Sequence, residues 1–213
     1  MSIYNTDELK KRFIVIEGID GAGTTTQLQL LAESLDAKKI PCVTTAEPTR
    51  SPVGKIIRAI LSNEIQTAPT TVAYLYATDR NEHLYGTQGI LDNINAGSVV
   101  ISDRYALSSL AYQGVTCGSA LPWRLNRDFP PPGLTLLFEV KPETAIERIH
   151  SRPVKEIYET LEFQKRVHAM YEKMAVRLQR RGWRIERIDA EKDIESVHRD
   201  VESHVFAFLG LST

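Results

Sequence analysis

The amino-acid sequence predicts a three-layer α/β sandwich, a five-stranded parallel sheet with helices on both faces, and three observations point there. Five short strand-like runs alternate with longer stretches whose apolar residues recur every three or four positions, the pattern of strands joined by right-handed crossover helices. The first run, Phe13-Ile-Val-Ile-Glu17, is apolar and β-branched without polar alternation, as expected of a strand covered on both sides. It closes on a glycine-rich turn immediately before a helical pattern.

The elements follow in chain order. From Thr24, residues Leu28, Leu31, Ala32 and Leu35 form one apolar stripe of a helix ending near Lys38-Lys39. Further strands are predicted at Cys42 to Ala46, Ser98 to Ser102, Leu134 to Val140 and Trp183 to Ile188. Helices are expected over Val53 to Ser62, Thr70 to Asn95, Pro142 to Ser151, Thr160 to Arg181 and Asp193 to Leu209. Pro130-Pro131-Pro132-Gly133 reads as a rigid approach to a strand rather than a boundary, so residues 1–213 form one domain.

Composition narrows the function classes. With 26 Lys+Arg against 27 Asp+Glu, the net charge of −1 lacks the broad positive footprint of a nucleic-acid binder, and no nucleic-acid partner is expected. Cys42 and Cys117 are too few for a disulfide scaffold and read as reduced, core-type thiols of a cytoplasmic protein. Met1 to Arg12 has no apolar core of a signal peptide, and the long uncharged stretch Tyr105 to Trp123 carries too many polar and breaking residues for a membrane span. No membrane association is expected.

Three strand ends carry chemistry. Gly18-Ile-Asp-Gly21-Ala22-Gly23-Thr24-Thr25 sits between the first strand and its helix, where a phosphate loop of the form G-x-x-x-x-G-K-[ST] turns backbone N–H groups toward an anion and offers a hydroxyl to magnesium. Both glycines and the hydroxyl of Thr25 are in register, but Thr24 stands at the lysine position. Asp103-Arg104-Tyr105 closes another strand, placing a metal-competent acid and a phosphate-competent base at the carboxyl rim, where open α/β sheets bind ligands. Glu47-Pro48-Thr49-Arg50 delivers a further cation to that rim.

Together with Tyr76-Ala-Thr-Asp-Arg80, Asp103-Arg-Tyr-Ala-Leu-Ser-Ser-Leu-Ala-Tyr-Gln-Gly114 and Phe163-Gln-Lys-Arg166, these strings resemble the thymidylate kinases, P-loop enzymes that move the γ-phosphoryl group of ATP onto dTMP. The resemblance runs from Ile14 to about Val201, and the Asp103 to Gly114 string is its most specific part. It implies magnesium as cofactor, ATP as phosphate donor, dTMP as acceptor and a homodimer. It assigns ATP phosphates to the loop from Gly18 through Thr26, magnesium to Thr25 and Asp103, and the sugar 3′-hydroxyl to Asp20. Arg50 and Arg104 are implied as the grip on the dTMP phosphate, with Ser108 beside them. Tyr76 stacks on thymine, Arg80 donates to its O4, Tyr112 closes the sugar side and Gln113 reaches the base edge. Arg148 and the backbone of Ala190 are implied at adenine, and residues 152–159 form a lid whose Arg152 and Lys155 supply the catalytic cation. Ile157 and Ala46 depart from the family's arginines at those places. Two other readings stay open: a catalytically weak nucleotide-binding relative, and a kinase of another pyrimidine nucleotide such as dUMP.

Overall fold

The computed structural model describes residues 7–149 and 157–211. Five parallel strands, β1 (Phe13–Gly18), β2 (Cys42–Ala46), β3 (Val99–Asp103), β4 (Leu134–Glu139) and β5 (Ile185–Asp189), lie in the order β2-β3-β1-β4-β5. The described helices are α1 (Leu9–Arg12), α2 (Thr24–Ala37), α3 (Pro52–Leu61), α4 (Pro69–Tyr85), α5 (Ile90–Asn95), α6 (Ala106–Cys117), α7 (Ala120–Asn126), α8 (Pro142–Ile149), α9 (Leu161–Gln179) and α10 (Ile194–Leu209). The predicted α/β sandwich is the architecture found.

Strand β1 lies at the centre and is buried along its whole length. Its alternate residues feed two cores: Ile14 and Ile16 pack with Leu31, Leu110, Met174 and Val201, while Phe13 and Val15 pack with Leu84, Ile90 and Ile94. Period-two alternation thus sends one uninterrupted apolar run to both faces of the sheet. Because β3 and β4 flank β1 on opposite sides, the chain reverses its winding at the carboxyl end of β1, and a crevice opens there.

Local chemistry sets the helix starts. Ser51 caps α3 by accepting from Gly54 N at 3.0 Å, with Pro52 in the first turn. Thr160 and Asp193 cap α9 and α10 in the same way, accepting from Phe163 N and Ser196 N. Asp79, wholly buried on α4, accepts from Thr49 N at 2.7 Å, Thr49 Oγ1 at 2.6 Å and Ser51 Oγ at 2.8 Å, fixing the turn between β2 and α3.

Several expectations are corrected. The single helix predicted over Thr70 to Asn95 is two, α4 and α5, because the chain turns at Gly86 to Gly89, where a side chain at Gly86 would run into Glu82. Val72 and Ala73, near the start of α4, are buried within the chain itself. Helices α6 and α7 occupy the stretch for which no element was predicted. Cys42 and Cys117 are unpaired as expected but half-buried rather than in the core, and burial pushes the Cys42 thiol up to about 11. No described helix is long and apolar enough to cross a membrane.

Gly54 gives a test of this packing. By helix propensity alone, alanine should stabilise an interior helical position by about 1 kcal/mol over glycine. Here the added Cβ would overlap the backbone of Thr49, in the turn that Asp79 pins. Gly54→Ala is therefore expected to destabilise by about 1–3 kcal/mol in urea unfolding; a variant as stable as the parent contradicts the packing.

Candidate active site

One continuous pocket opens at the carboxyl rim, running from the glycine loop after β1, past the ends of β2 and β3, to α3, α4 and α6. At the loop, Gly21 and Gly23 both have φ of +88°, a conformation glycine adopts freely, and Gly23 leads directly into the first turn of α2. Gly21 also passes so close to the backbone of Ala145 that no Cβ fits. Gly21, Gly23, Thr24, Thr25 and Thr26 line the pocket. Gly18 and Ala22 do not: Ala22 N donates to Ile19 O at 3.1 Å, and a Cβ on Gly18 would lie 3.0 Å from that of Ala22, so these two residues shape the turn from behind.

Thr25 Oγ1 donates to Asp103 Oδ2 at 2.7 Å. The other oxygen, Asp103 Oδ1, is buried and has no hydrogen-bond partner among the described residues. A buried carboxylate oxygen left unpaired at a pocket wall suits a cation, and a hydroxyl plus one carboxylate is the sparse ligand set magnesium takes when phosphates and water complete its shell. The residues present therefore fit the ion.

Beside them lies Arg104, at φ +74°, a conformation rare outside glycine. Its backbone is held by Arg104 N donating to Ile16 O at 2.9 Å and by Ser102 Oγ donating to Arg104 O at 2.7 Å. Its guanidinium donates to Asp20 Oδ1 at 2.6 Å, Gly18 O at 2.8 Å, Tyr171 Oη at 3.1 Å and Ser108 Oγ at 3.2 Å, and lies over the ring of Tyr112. Asp20 Oδ2 accepts from Gln164 Nε2 at 2.9 Å, and the same nitrogen donates to Tyr158 O. Burial pushes the phenols of Tyr112 and Tyr171 well above their ordinary range, so both act as neutral hydroxyls. Behind this group Glu17 is wholly buried, and loss of water raises its carboxyl to about 7 against the opposing pull of its hydrogen bonds and Arg104.

At the far end, Arg80 is 1% exposed yet lines the pocket. Its guanidinium donates to Glu47 at 2.5 Å, to Ser109 Oγ at 2.9 Å and to Asn126 Oδ1, while Nε has no partner among the described residues. Glu47 also meets His83 Nδ1 at 3.1 Å, and Thr45 Oγ1 lies 2.7 Å from His83 Nε2. Gln113 is buried with Oε1 unpaired, and Tyr76 lines the same end.

The pocket thus brings together Asp20, Tyr76, Arg80, Asp103, Arg104, Ser108, Tyr112 and Gln113 as the sequence suggested. Arg50 is not among them: it is exposed and outside the lining, whereas Arg58, two turns into α3, lines it and donates to Pro48 O. The sequence reading did not single out Arg58; its signal is a cation between Ile57 and Ile60 on a helix that begins at the binding rim. Arg148 and Ala190 meet away from this pocket, Arg148 donating to Ala190 O at 3.0 Å, while Ala190 N is taken by Glu139 O at 2.9 Å. Only the Ala190 carbonyl, with one lone pair left, can still serve a ligand. Arg152 and Lys155 lie outside the described residues; of the expected lid, Tyr158 and Glu159 line the pocket.

The thymidylate kinase family profile matches residues 16–201. A thymidylate kinase of Pelotomaculum thermopropionicum is 39% identical over 203 residues, covering 91% of this chain and 92% of its own. A probable thymidylate kinase of Thermococcus kodakarensis is 37% identical over 209 residues, 93% and 98% of the two chains, and one of Pyrococcus horikoshii is 38% identical over 197 residues, 89% and 93%.

Burial of Glu17 has a measurable sign. Its carboxyl rises from 4.5 to about 7 on folding, so between those values the folded chain keeps a proton the unfolded chain has lost, and stability falls as pH rises. The drop from this group is about 3 kcal/mol, complete above pH 7. Glu17→Gln should remove that slope from urea-unfolding curves taken between pH 4.5 and 8; parallel curves for the two proteins contradict the burial argument.

Proposed function

The chain belongs to the thymidylate kinase family, and from that premise we propose that it transfers the γ-phosphoryl group of ATP to dTMP, giving dTDP and ADP. The observation that carries this reading is the one pocket whose lining runs from the phosphate-type glycine loop and the Thr25–Asp103 pair to the Arg80 socket.

In this reading the first-turn N–H groups of α2 receive the ATP phosphates, since the start of a helix leaves such donors unpaired and favours negative charge. Thr25 and Asp103 hold magnesium, which when bound supplies positive charge to the phosphoryl oxygens. Arg104 and Arg58 grip the dTMP phosphate, and Asp20, already paired with Arg104, orients the sugar hydroxyl. Arg148 lies against adenine, with the Ala190 carbonyl accepting from its amino group. Tyr76 and Tyr112 flank the nucleoside, Arg80 donates to thymine O4, and the unpaired Gln113 Oε1 accepts from thymine N3–H. The chemistry needs position and charge rather than a strong acid, because phosphoryl transfer runs through a loose, charge-dispersed transition state. Arg152 or Lys155 completes the charge from the lid. A homodimer belongs to the same reading, with Tyr74, 53% exposed on α4, as its apolar contact now that Val72 and Ala73 are spent internally.

Base selection follows from the Arg80 socket. Glu47, Ser109 and Asn126 hold the guanidinium in place, so it cannot turn away from a mismatched base. A cytosine nucleotide presents an amino donor where thymine has O4, and dCMP should be phosphorylated on the order of a thousandfold less efficiently than dTMP. Equal turnover in a coupled ADP-release assay would overturn the assignment of Arg80.

Thr24 predicts a slow enzyme. It lies 7% exposed at the pocket wall and cannot supply the charge that a lysine places against the β- and γ-phosphates. Loss of one such donor typically costs about 3–4 kcal/mol, two to three decades in rate. Thr24→Lys should therefore raise kcat by about a hundredfold or more with little change in dTMP affinity by calorimetry. No gain, in a parent protein already turning over at tens per second, would mean that another cation fills the role.

A further inference from the structure

Glu17 has no role in the reading above, yet it is bonded to two of the four groups that hold the Arg104 guanidinium, Ser108 and Tyr171. Its Oε1 accepts from Tyr105 N at 2.9 Å and Ser108 N at 3.2 Å, the residues that start α6. Its Oε2 accepts from the Ser108 hydroxyl and from Tyr171 Oη at 3.2 Å. These are the same two hydroxyl oxygens that receive the Arg104 guanidinium. A hydroxyl has one proton and two lone pairs, and the two hydroxyls also lie 2.7 Å from each other; with the Ser108 proton on Glu17 and the Tyr171 proton shared between Ser108 Oγ and Glu17, a lone pair on each oxygen is left for Arg104.

We propose that Glu17 is the positioning residue for Arg104: its carboxylate orients the Ser108 and Tyr171 hydroxyls toward the guanidinium and fastens the turn from which Arg104 projects. The inference rests on the reading of Arg104 as the grip on the dTMP phosphate. The backbone argument is independent of the hydroxyls. Arg104 has the left-handed φ of +74°, and the peptide that follows it donates to Glu17 through Tyr105 N, so the carboxylate stands directly behind the strained residue.

The charge on Glu17 decides the polarity of the network. A protonated carboxyl must place its own proton on an acceptor, and the nearest are the Ser108 and Tyr171 oxygens. That hydroxyl then turns its proton away from Glu17 toward its neighbouring hydroxyl, and the uncharged carboxyl holds Ser108, Tyr171 and the Tyr105 peptide by weaker, neutral bonds and no longer attracts the guanidinium. The charged and titratable groups that face Glu17 are Arg104 and Tyr105 from the β3–α6 junction and Tyr171 from α9, with Asp20 and Tyr112 reaching it only through Arg104. Burial sets the carboxyl near 7, so both polarities are sampled around neutral pH.

The test compares kcat/KM for dTMP between pH 6 and 8 in the parent and in Glu17→Gln, which keeps the shape but cannot ionise. The second ionisation of the dTMP phosphate, near pH 6, is common to both proteins and cancels in their ratio. The ratio of parent to variant should be about tenfold at pH 8 and fall to about twofold at pH 6, the worth of one charge-assisted bond titrating through 7. Thymidine, which has no phosphate, should bind both proteins equally at every pH. A ratio that is unity, or constant across pH, overturns the proposal. Should the glutamine variant fail to fold, Tyr171→Phe removes one orienting hydroxyl while keeping the ring; the midpoint of the pH step should move upward, because the ionised carboxylate loses a donor, and an unmoved midpoint overturns the proposal. A parent protein that binds thymidine but gains nothing from the phosphate of dTMP would overturn the role of Arg104, and the inference with it; a parent that binds dTMP while the variant curves stay parallel removes Glu17 alone.

Discussion

The placement of the Arg104 guanidinium is the constraint from which the rest of the site follows. A group that stays charged at every pH, set in a partly dry wall, must find acceptors for its N–H groups or lose heavily in desolvation. It finds them on three separate pieces of chain: Gly18 at the end of β1 with Asp20 in the loop after it, Ser108 on α6, and Tyr171 on α9. The requirement to satisfy one arginine therefore draws together the phosphate loop, the rim helix and the long closing helix. Such a pair adds little stability by itself, since the cost of burying both charges offsets most of their attraction, while removing one partner typically costs about 3–5 kcal/mol. The network is better understood as holding a cation ready at a fixed place.

The two ends of the pocket solve different problems by different means. Phosphate is recognised by charge and by backbone donors, so the loop needs conformation more than side chains, and the left-handed glycines Gly21 and Gly23 with the start of α2 provide it. A base is recognised by the direction of its donors and acceptors, and that demands a rigid side chain. Arg80 is made rigid by Glu47, Ser109 and Asn126, and Glu47 is steadied in turn by His83. Burying so much polarity is tolerable because most of it is paired; of the site atoms left unpaired, which include Arg80 Nε and Gln164 Oε1, Asp103 Oδ1 and Gln113 Oε1 lie where magnesium and the base are proposed to sit.

Much of this was legible in the sequence, and the failures have physical causes. The strands were readable as short apolar, β-branched runs, buried on both faces in β1 and β3, and the amphipathic helices because each has one buried face and one wet one. Helix α6 was not, because residues Ala106 to Gly114 are all buried and a helix covered all round carries no stripe. The break between α4 and α5 was hidden because Gly86 answers to a contact with Glu82, invisible to periodicity. The loop residues and the Asp103 to Gly114 string were readable as chemistry at strand ends. The residues that orient them, Glu17, Glu47 and Asn126, are joined to their partners across 88, 33 and 46 positions of chain, and only folding reveals them. Arg50 and Arg58 exchange places for a similar reason: which of two arginines on one segment meets the pocket is decided by the pinning of the turn on Asp79.

The central claim, that one pocket brings a donor phosphate and a thymidine monophosphate together for transfer, is tested most directly by following phosphorus-31 resonances of ATP and dTMP mixed with the protein and magnesium. The account predicts that dTDP and ADP appear in equal amounts, slowly, and only when dTMP and magnesium are both present. Release of inorganic phosphate without dTDP, or tight binding of both nucleotides with no transfer at all, would contradict it.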